Sequence, residues 1–338
     1  MQDQAILQAA AALEAGQLVA FPTETVYGLG ADAENPAAVA SIYAAKGRPQ
    51  DHPVIVHVAP GASLDYWCAD IPSEARQLAD AFWPGPLTMI LKRAPNIPDA
   101  VSGGQDTVGI RCPSHPVAIA LLQAFKNGKG GVAAPSANKF GHVSPTTAQH
   151  VRDEFGEDPR LAAVLDGGQS EVGIESTIVD LSRLATHGPV LLRPGHISAE
   201  AIAAVIDQLP ARPDSAAPRA SGTLESHYAP HTPVAMQDSA TLAETLARLA
   251  GAGRKVALIH YSAMPAVHAA VQLPATPEGF AHALYAALRA MDGTGADLIL
   301  VEAPPQEGAW LGVNDRLRRA AHGSSGIVHG LINNTPAF

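Results

Sequence analysis

Cysteine is nearly missing from this chain: two residues in 338, Cys68 and Cys112. They form no metal-ligand pattern and give no reason to expect an oxidising compartment. No apolar run approaches the ~18 to 20 residues that cross a bilayer. A basic leader segment is absent as well, since Asp3 stands where its cations would be and Ala5–Ala15 reads as an amphipathic helix carrying Ile6 and Leu13. Positive charge is in deficit, with 22 Lys and Arg against 32 Asp and Glu and a net charge of −10. That balance argues against broad nucleic-acid binding but leaves room for an anionic nucleotide in a local basic pocket. Familiar catalytic patterns are missing too. Nothing reads as a Ser-His-Asp arrangement, a cysteine nucleophile or a paired acid–base carboxylate. Gly128-Lys129 lacks both the upstream glycine and the following Ser or Thr of a P-loop. His227 and His231 are four apart, but Pro230 disfavours a helix that would present both to a metal.

What remains is a globular chain, 47% hydrophobic and 16% charged, long enough for two domains. It is organised around residues 19–58. Leu18–Phe21 reads as a buried strand stopped by Pro22. A polar loop follows with Thr23, Glu24, Thr25 and Tyr27, loosened by Gly28 and Gly30, at a strand end where α/β sheets tend to hold ligands. Asn35-Pro36 opens a helix that ends at Lys46-Gly47-Arg48-Pro49, and Val54–Val58 is the next strand. Lys46 and Arg48, two apart at a turn, either converge on a polyanion or complement a helix C-terminus.

The same punctuation continues along the chain. Ser73–Phe82 and Pro116–Phe125 read as helices, and Leu87–Leu91, Thr107–Arg111, Val132–Ala134, Leu161–Leu165 and Val190–Arg193 as strands. Alternation puts Thr107, Gly109 and Arg111 on one face, Arg111 being a solvated strand end or an anion ligand. Ser136-x-Asn138 follows a strand. Ser144 is a plausible N-cap for the next helix, and a helix N-terminus is also a phosphate site. Ser176 begins a strand, and Arg193 ends one. Cations and small polar groups at element ends suit positioning and charge stabilisation of phosphate better than covalent catalysis.

Lys46-x-Arg48 and Ser136-x-Asn138, with PTETVYGLGADA, WPGPLT, APSAN, ESTIVD and LRPG in order over residues 5–206, resemble the Sua5/YrdC family. The resemblance implies a twisted α/β sheet around a positively lined cavity. The implied activity is a nucleotidyltransferase, an L-threonylcarbamoyladenylate synthase that joins L-threonine, bicarbonate and ATP and releases pyrophosphate, for N6-threonylcarbamoyladenosine in tRNA. Carried across residue by residue, Thr25, His57, Arg111, Ala134 and Ser176 fall at L-threonine positions. Lys46, Arg48, His52, Thr107, Ser136, Asn138, Ser144, Arg193 and Tyr228 fall at ATP positions, with Lys46 and Arg48 in the catalytic role. Position 52 departs from the common Asn, and His57 sits in an apolar strand where a lone histidine is usually a packed core residue.

Leu209–Gly222 is rich in Pro, Ala, Arg and Ser and reads as an extended linker leading into SHYAP, where many family members have a PGM-type segment. Beyond it a β-α-β-α-β-α pattern predicts a small, Rossmann-like, largely parallel sheet without a dinucleotide fingerprint. The expected organisation is therefore a YrdC-like catalytic domain over 1–206, a linker or lid over 207–232 and a Sua5 C-terminal domain over 233–338. The long Sua5 form of the family fits this plan. Expected companions are Mg2+ held mainly through ATP phosphates, with no zinc, and a tRNA threonylcarbamoyl transferase that receives the product. The expected setting is cytoplasmic, without a membrane and without stable tRNA binding. Two rivals are a double-stranded RNA-binding module, opposed by the acidic balance, and a carbamoyl-adenylate enzyme of hydrogenase maturation, whose added zinc modules with paired CxxC motifs are missing here.

Overall fold

The computed structural model describes residues 2–224, 227–306 and 308–333. The chain divides into two compact units, Met1–Phe140 with Ser144–Thr223, and Gly141–Val143 with Leu224–Phe338. In chain order the first unit runs α1 (Gln2–Glu14), β1 (Leu18–Phe21), β2 (Gly28–Asp32), α2 (Pro36–Lys46), β3 (Ile55–Val58), α3 (Leu64–Trp67), α4 (Ser73–Phe82), β4 (Leu87–Lys92) and α5 (Asp99–Ser102). It continues with β5 (Thr107–Arg111), α6 (Pro116–Ala124), β6 (Gly131–Ala133), α7 (Ala148–Phe155), β7 (Leu161–Val164), β8 (Thr177–Asp180), α8 (Leu184–His187), β9 (Val190–Arg193) and α9 (Ala199–Ile206).

Among the described residues, the strands of this unit form one sheet in the order β7-β1-β2-β6-β3-β5-β4-β8-β9. Strand alternation sorts its side chains onto two faces. One face, including Leu29, Val56, Val58, Ile110 and Val179, packs beneath α2, α4, α7 and α9. The other face is covered in two separate patches. Val19, Phe21, Val132 and Ala134 lie under α1 and α6. Ile55, Ile90, Ile178, Val190 and Leu192 meet Ala217 and Ala220, which come from no helix at all.

The stretch that reads as a plain linker is thus tied to the first unit over residues 207–223. Leu191 N–H donates to Ala211 O at 2.8 Å and Ala211 N–H to Pro189 O at 2.9 Å, extending the sheet edge. Asp214 pairs with Arg183 at 3.1 Å. Arg219 N–H donates to Gln105 Oε1 at 2.7 Å, and Gln105 Nε2 donates back to Arg219 O at 3.1 Å. Residues 225 and 226 of the expected linker lie outside the described residues.

Two local expectations need correction. Gly28 and Gly30 belong to β2 rather than to a flexible loop. A Cβ on Gly30 would sit 2.8 Å from both Phe21 Cε1 and Val132 Cγ1, so this glycine is there for close approach between strands. Ser144 does not cap a helix: α7 begins at Ala148 with Thr147 as N-cap, its side chain accepting from His150 N–H. Pro145 follows Ser144 and pushes it out of helical geometry.

The second unit contains β10 (Val234–Gln237), α10 (Ser239–Gly251), β11 (Val256–His260), β12 (Ala269–Gln272), α11 (Pro277–Asp292), β13 (Leu298–Glu302), α12 (Leu311–Ala320) and α13 (Ile327–Asn333). Its sheet, in the order β10-β13-β11-β12, is parallel at every pairing, as the β-α alternation predicts. Leu242, Leu246 and Leu249 of α10 cover one face with help from α13. Thr276 caps α11, its side chain accepting from Gly279 N–H, and Phe280, Leu284, Leu288 and Met291 of that helix are buried. No helix among the described residues is long and apolar enough to cross a membrane.

Candidate active site

Strand ends of the first unit, and the turns beside them, hold nearly all the residues singled out from the sequence. Helix α2 delivers two of them. Asn35 caps its start by accepting from Ala37 and Ala38 N–H, an arrangement worth about 1 kcal/mol. At its other end Gly47 takes the left-handed conformation at φ 66° and satisfies Tyr43 O, which frees Lys46 and Arg48 from continuing the helix. Both are buried. Lys46 Nζ donates to Ser136 O at 2.6 Å and Asn138 O at 2.5 Å. Burial first, and the neighbouring Arg48 charge second, hold the Lys46 pKa well below the usual lysine value. Arg48 Nη2 donates to Pro53 O at 2.7 Å and to Ser221 Oγ at 3.4 Å.

Arg193, 2% exposed at the end of β9, meets the same 207–223 stretch, which lies as a strap on the sheet. Its Nη1 donates to Ser221 O at 2.8 Å, its Nε to Ser176 O at 3.0 Å and its Nη2 to Ser176 Oγ at 3.1 Å. Two arginines thus meet one serine of the 207–223 stretch, and Ser176 accepts from one of them. Thr107 and Gly109 of β5 line a small pocket together with Arg219, Ala220 and Ser221.

Arg111 ends β5 directly beside His57 of β3, the two being paired in register. Its guanidinium donates to Thr25 Oγ1 at 2.8 Å and to Glu24 Oε1 at 2.6 Å, and Ser114 N–H donates to Glu24 Oε2 at 3.0 Å. Arg111 and Glu24 are each 4% exposed, a buried pair whose value lies in fixing geometry as much as in stability. Of the two readings of Arg111, the solvated strand end is excluded. Burial, with Arg111 adding to it, pushes the His57 pKa down to about 3, so this imidazole is neutral at any ordinary pH. Its ring meets Phe21 edge-on at 6.1 Å.

The remaining candidates close the same neighbourhood. Ala134 N–H donates to Ile55 O, and Ser136 bridges Gly28. Asn138 is fully buried, with Nδ2 donating to Lys139 O at 2.7 Å. Ser144 Oγ donates to Glu175 Oε1, the residue before Ser176. His52 stands nearer the surface, its ring on Phe140 at 5.5 Å, with burial and then Arg48 lowering its pKa. Cys112 follows Arg111, but burial pushes its thiol up to about 12, which removes it as a nucleophile.

Tyr228 is the exception to this gathering, because it belongs to the second unit. There it is 1% exposed, with His227 at 4.1 Å, Tyr285 at 5.7 Å and the Arg316 guanidinium 5.7 Å from its ring. Its φ of 60° is unusual for an aromatic residue.

Sequence reasoning did not assign roles to Glu24, Glu175 or Ser221. Glu24 carried a usable signal, a carboxylate in a hydroxyl-rich loop just past a buried strand. Ser221 carried none, since its role depends on where an irregular segment crosses the sheet. Among the described residues no group of three or more His, Cys, Asp or Glu is placed to hold a metal ion.

Comparison with known proteins matches the chain in two parts. The Sua5–YciO–YrdC family model, described as "Telomere recombination", matches residues 11–195. A second model, described as "Threonylcarbamoyl-AMP synthase, C-terminal domain", matches residues 197–322. The threonylcarbamoyl-AMP synthase of Pyrococcus abyssi is 40% identical over 326 residues, 93% of each chain. That of Bacillus subtilis is 40% identical over 333 residues, covering 95% of this chain and 94% of its own. The crystal structure of P. abyssi Sua5 complexed with L-threonine superposes with a TM-score of 0.87 at 39% identity, covering 94% of each chain. With one model over more than half of its length, a second over most of the remainder and relatives at 40% identity nearly end to end, this chain belongs to the Sua5–YciO–YrdC family and carries the Sua5 C-terminal domain.

Proposed function

We propose that this protein is a threonylcarbamoyl-AMP synthase, a nucleotidyltransferase that makes L-threonylcarbamoyladenylate from L-threonine, bicarbonate and ATP and releases pyrophosphate and water. One observation carries the reading most: Lys46, Arg48, Arg111 and Arg193 are all buried, Lys46 on Ser136 O and Asn138 O, Arg48 and Arg193 on the shared Ser221, and Arg111 on Thr25 and Glu24. Four cations withdrawn from water among small polar groups suit a polyanionic ligand. The similarity to a relative crystallised with L-threonine supports the amino-acid half of the site.

The chemistry needs no covalent enzyme intermediate. The threonine amine takes up bicarbonate to give a carbamate. A carbamate oxygen attacks the α-phosphorus of ATP, and pyrophosphate leaves. Lys46, Arg48 and Arg193 neutralise the charge that grows on the phosphates. Magnesium arrives as part of the nucleotide substrate. Thr25, His57, Arg111, Ala134 and Ser176 face L-threonine, while His52, Thr107, Ser136, Asn138 and Ser144 face ATP with the three cations. Tyr228 is assigned to ATP, and residues 207–232 to a lid, on the family resemblance alone. The catalytic domain over 1–206 takes the 207–223 strap as part of its surface. The product passes to a tRNA threonylcarbamoyl transferase, in the cytoplasm, without stable tRNA binding by this chain. The test is pyrophosphate release from the purified protein, expected only when L-threonine and bicarbonate are both present. Turnover that persists without threonine excludes the assignment.

A further inference from the structure

We propose that the second unit has an anion site at the C-terminal end of its sheet, filled by the chain's own Glu302 carboxylate as a permanent internal ligand. A small free carboxylate takes its place when that side chain is removed. In the intact chain the crevice is closed to nucleotides and other solutes.

The topology puts a crevice at this end. Strand β10 leads into α10, which covers one sheet face with Leu242, Leu246 and Leu249. Strand β13, paired beside β10, leads toward α12, which packs on α11. The alternate residues Ala257, Ile259, Ile299 and Val301 are buried on the opposite face, where α11 lies against β11 and β13. Parallel sheets hold ligands outside the carboxyl ends of their strands, where successive connections part to opposite faces.

Glu302 ends β13 at a core register. Leu298 and Leu300 point into the α10 cluster, and alternation sends Glu302 the same way. That periodicity calls for an apolar residue, yet a fully buried carboxylate stands there. Its Oε2 accepts from Tyr261 N–H at 2.8 Å and Ser262 N–H at 2.9 Å. Its Oε1 accepts from Ser262 Oγ at 2.6 Å and Ser239 Oγ at 2.8 Å. The donors come from the loops after β10 and β11, the two strands that flank β13. Together they fill the roughly four acceptor positions of a carboxylate.

Burial by itself pushes the Glu302 pKa up, but the hydrogen bonds from Ser262, Tyr261 and Ser239 more than reverse it, so the group is charged at neutral pH. All three partners are neutral. A buried ion is costly unless its acceptors are met, and here neutral donors alone meet them. Two consecutive backbone N–H groups on one oxygen and two hydroxyls on the other form a nest for an anion. The nest has supports of its own. Tyr261 Oη donates to Ala303 O at 3.1 Å, and His260 Nδ1 lies 2.6 Å from Ser262 O. Neither bond involves the carboxylate, so the donors keep their places without it. Ser239 is exposed and Tyr261 and Ser262 are half-buried, which gives a small solute a way in.

Hydrogen–deuterium exchange of the full chain at pH 7 reads the Tyr261 and Ser262 amides directly, with no reliance on catalysis. In Glu302→Ala they should exchange about tenfold faster than in wild type, while the amides inside β11 hold. Sodium acetate should restore their protection along a saturating curve, and sodium chloride at equal ionic strength should not. Glu302→Leu fills the vacated space, so its two amides should exchange fast in either salt. Wild type should ignore acetate, because its site is already filled. Glu302→Gln keeps the shape without the charge and should exchange about threefold faster than wild type. Wild-type protection in the alanine or the glutamine variant overturns the proposal. So does chloride that protects as well as acetate, or acetate that acts equally on the leucine variant. Should Glu302→Ala not fold in chloride, recovery of its circular dichroism spectrum in acetate supports the site, and no recovery in either salt overturns it.

Discussion

Lys46 and Arg48 show how little a sequence motif says until its surroundings are known. Cations at a helix C-terminus are ordinary, but an ammonium 2% exposed and held by two carbonyls is not. Lys46→Ala and Arg48→Ala should each remove about 2–4 kcal/mol of transition-state stabilisation, read from kcat/KM for pyrophosphate release, with the circular dichroism spectrum unchanged. An unchanged rate would return both residues to a helix-end role. His57 gives a prediction with a definite sign. Its pKa is about 3 in the folded chain against the usual 6.5, so the unfolded state binds the extra proton between those values. Its contribution is complete above pH 6.5 and is lost as pH falls toward 3. From pH 7 to 5 this one group should cost about 2 kcal/mol, so urea unfolding of His57→Leu should lose that much less stability than wild type over the same interval. Equal losses would mean that His57 titrates normally.

At the level of elements, the site exists because one sheet face is covered unevenly. Helices α1 and α6 shield β1 and β6, and an irregular strap shields the isoleucines of β3, β4 and β8. Polar residues survive between those patches because strand alternation places Thr107, Arg111 and His57 on that face, while Val56, Val58 and Ile110 fill the opposite core. The strap makes its position with few resources: an edge pairing at Ala211, two alanines on isoleucines and backbone bonds at Arg219. Small residues allow its backbone to come close enough for Ser221 to meet both Arg48 and Arg193.

For the whole molecule, the first compact unit runs on past Ile206 to Thr223. A chain ended at Ile206 should therefore melt several degrees below one ended at Thr223, because it exposes the isoleucine patch. If the stretch that contains Tyr228 acts as a lid, the chain ended at Thr223 should show a raised KM for ATP and ATP hydrolysis uncoupled from product, and Tyr228→Ala in the full chain should reproduce part of that defect. Full coupling in the shorter chain would leave Tyr228 as a packing residue of the second unit. There, between Tyr285 and Arg316, it has a structural role in any case.

By itself the sequence determined what short-range physics controls. Proline and glycine punctuation set the ends of α2 and α4, alternation set the faces of β5, and the β-α rhythm set a parallel sheet in the second unit. It also named the cations at element ends. Only the tertiary structure decided what each long-range neighbour imposes. Gly28 and Gly30 read as loop residues because the rings and methyls that demand glycine there, from Phe21, Val132 and Ala134, come partly from a strand a hundred residues on. Thr147 rather than Ser144 caps α7 because the helix begins only at Ala148, and Ser144 lies outside it with its hydroxyl donating to Glu175. Glu302 looks like one more polar strand end until the groups that donate to it, from the loops after β10 and β11, are in place, since hydrogen-bond partnership is a property of the assembled set and of no residue alone.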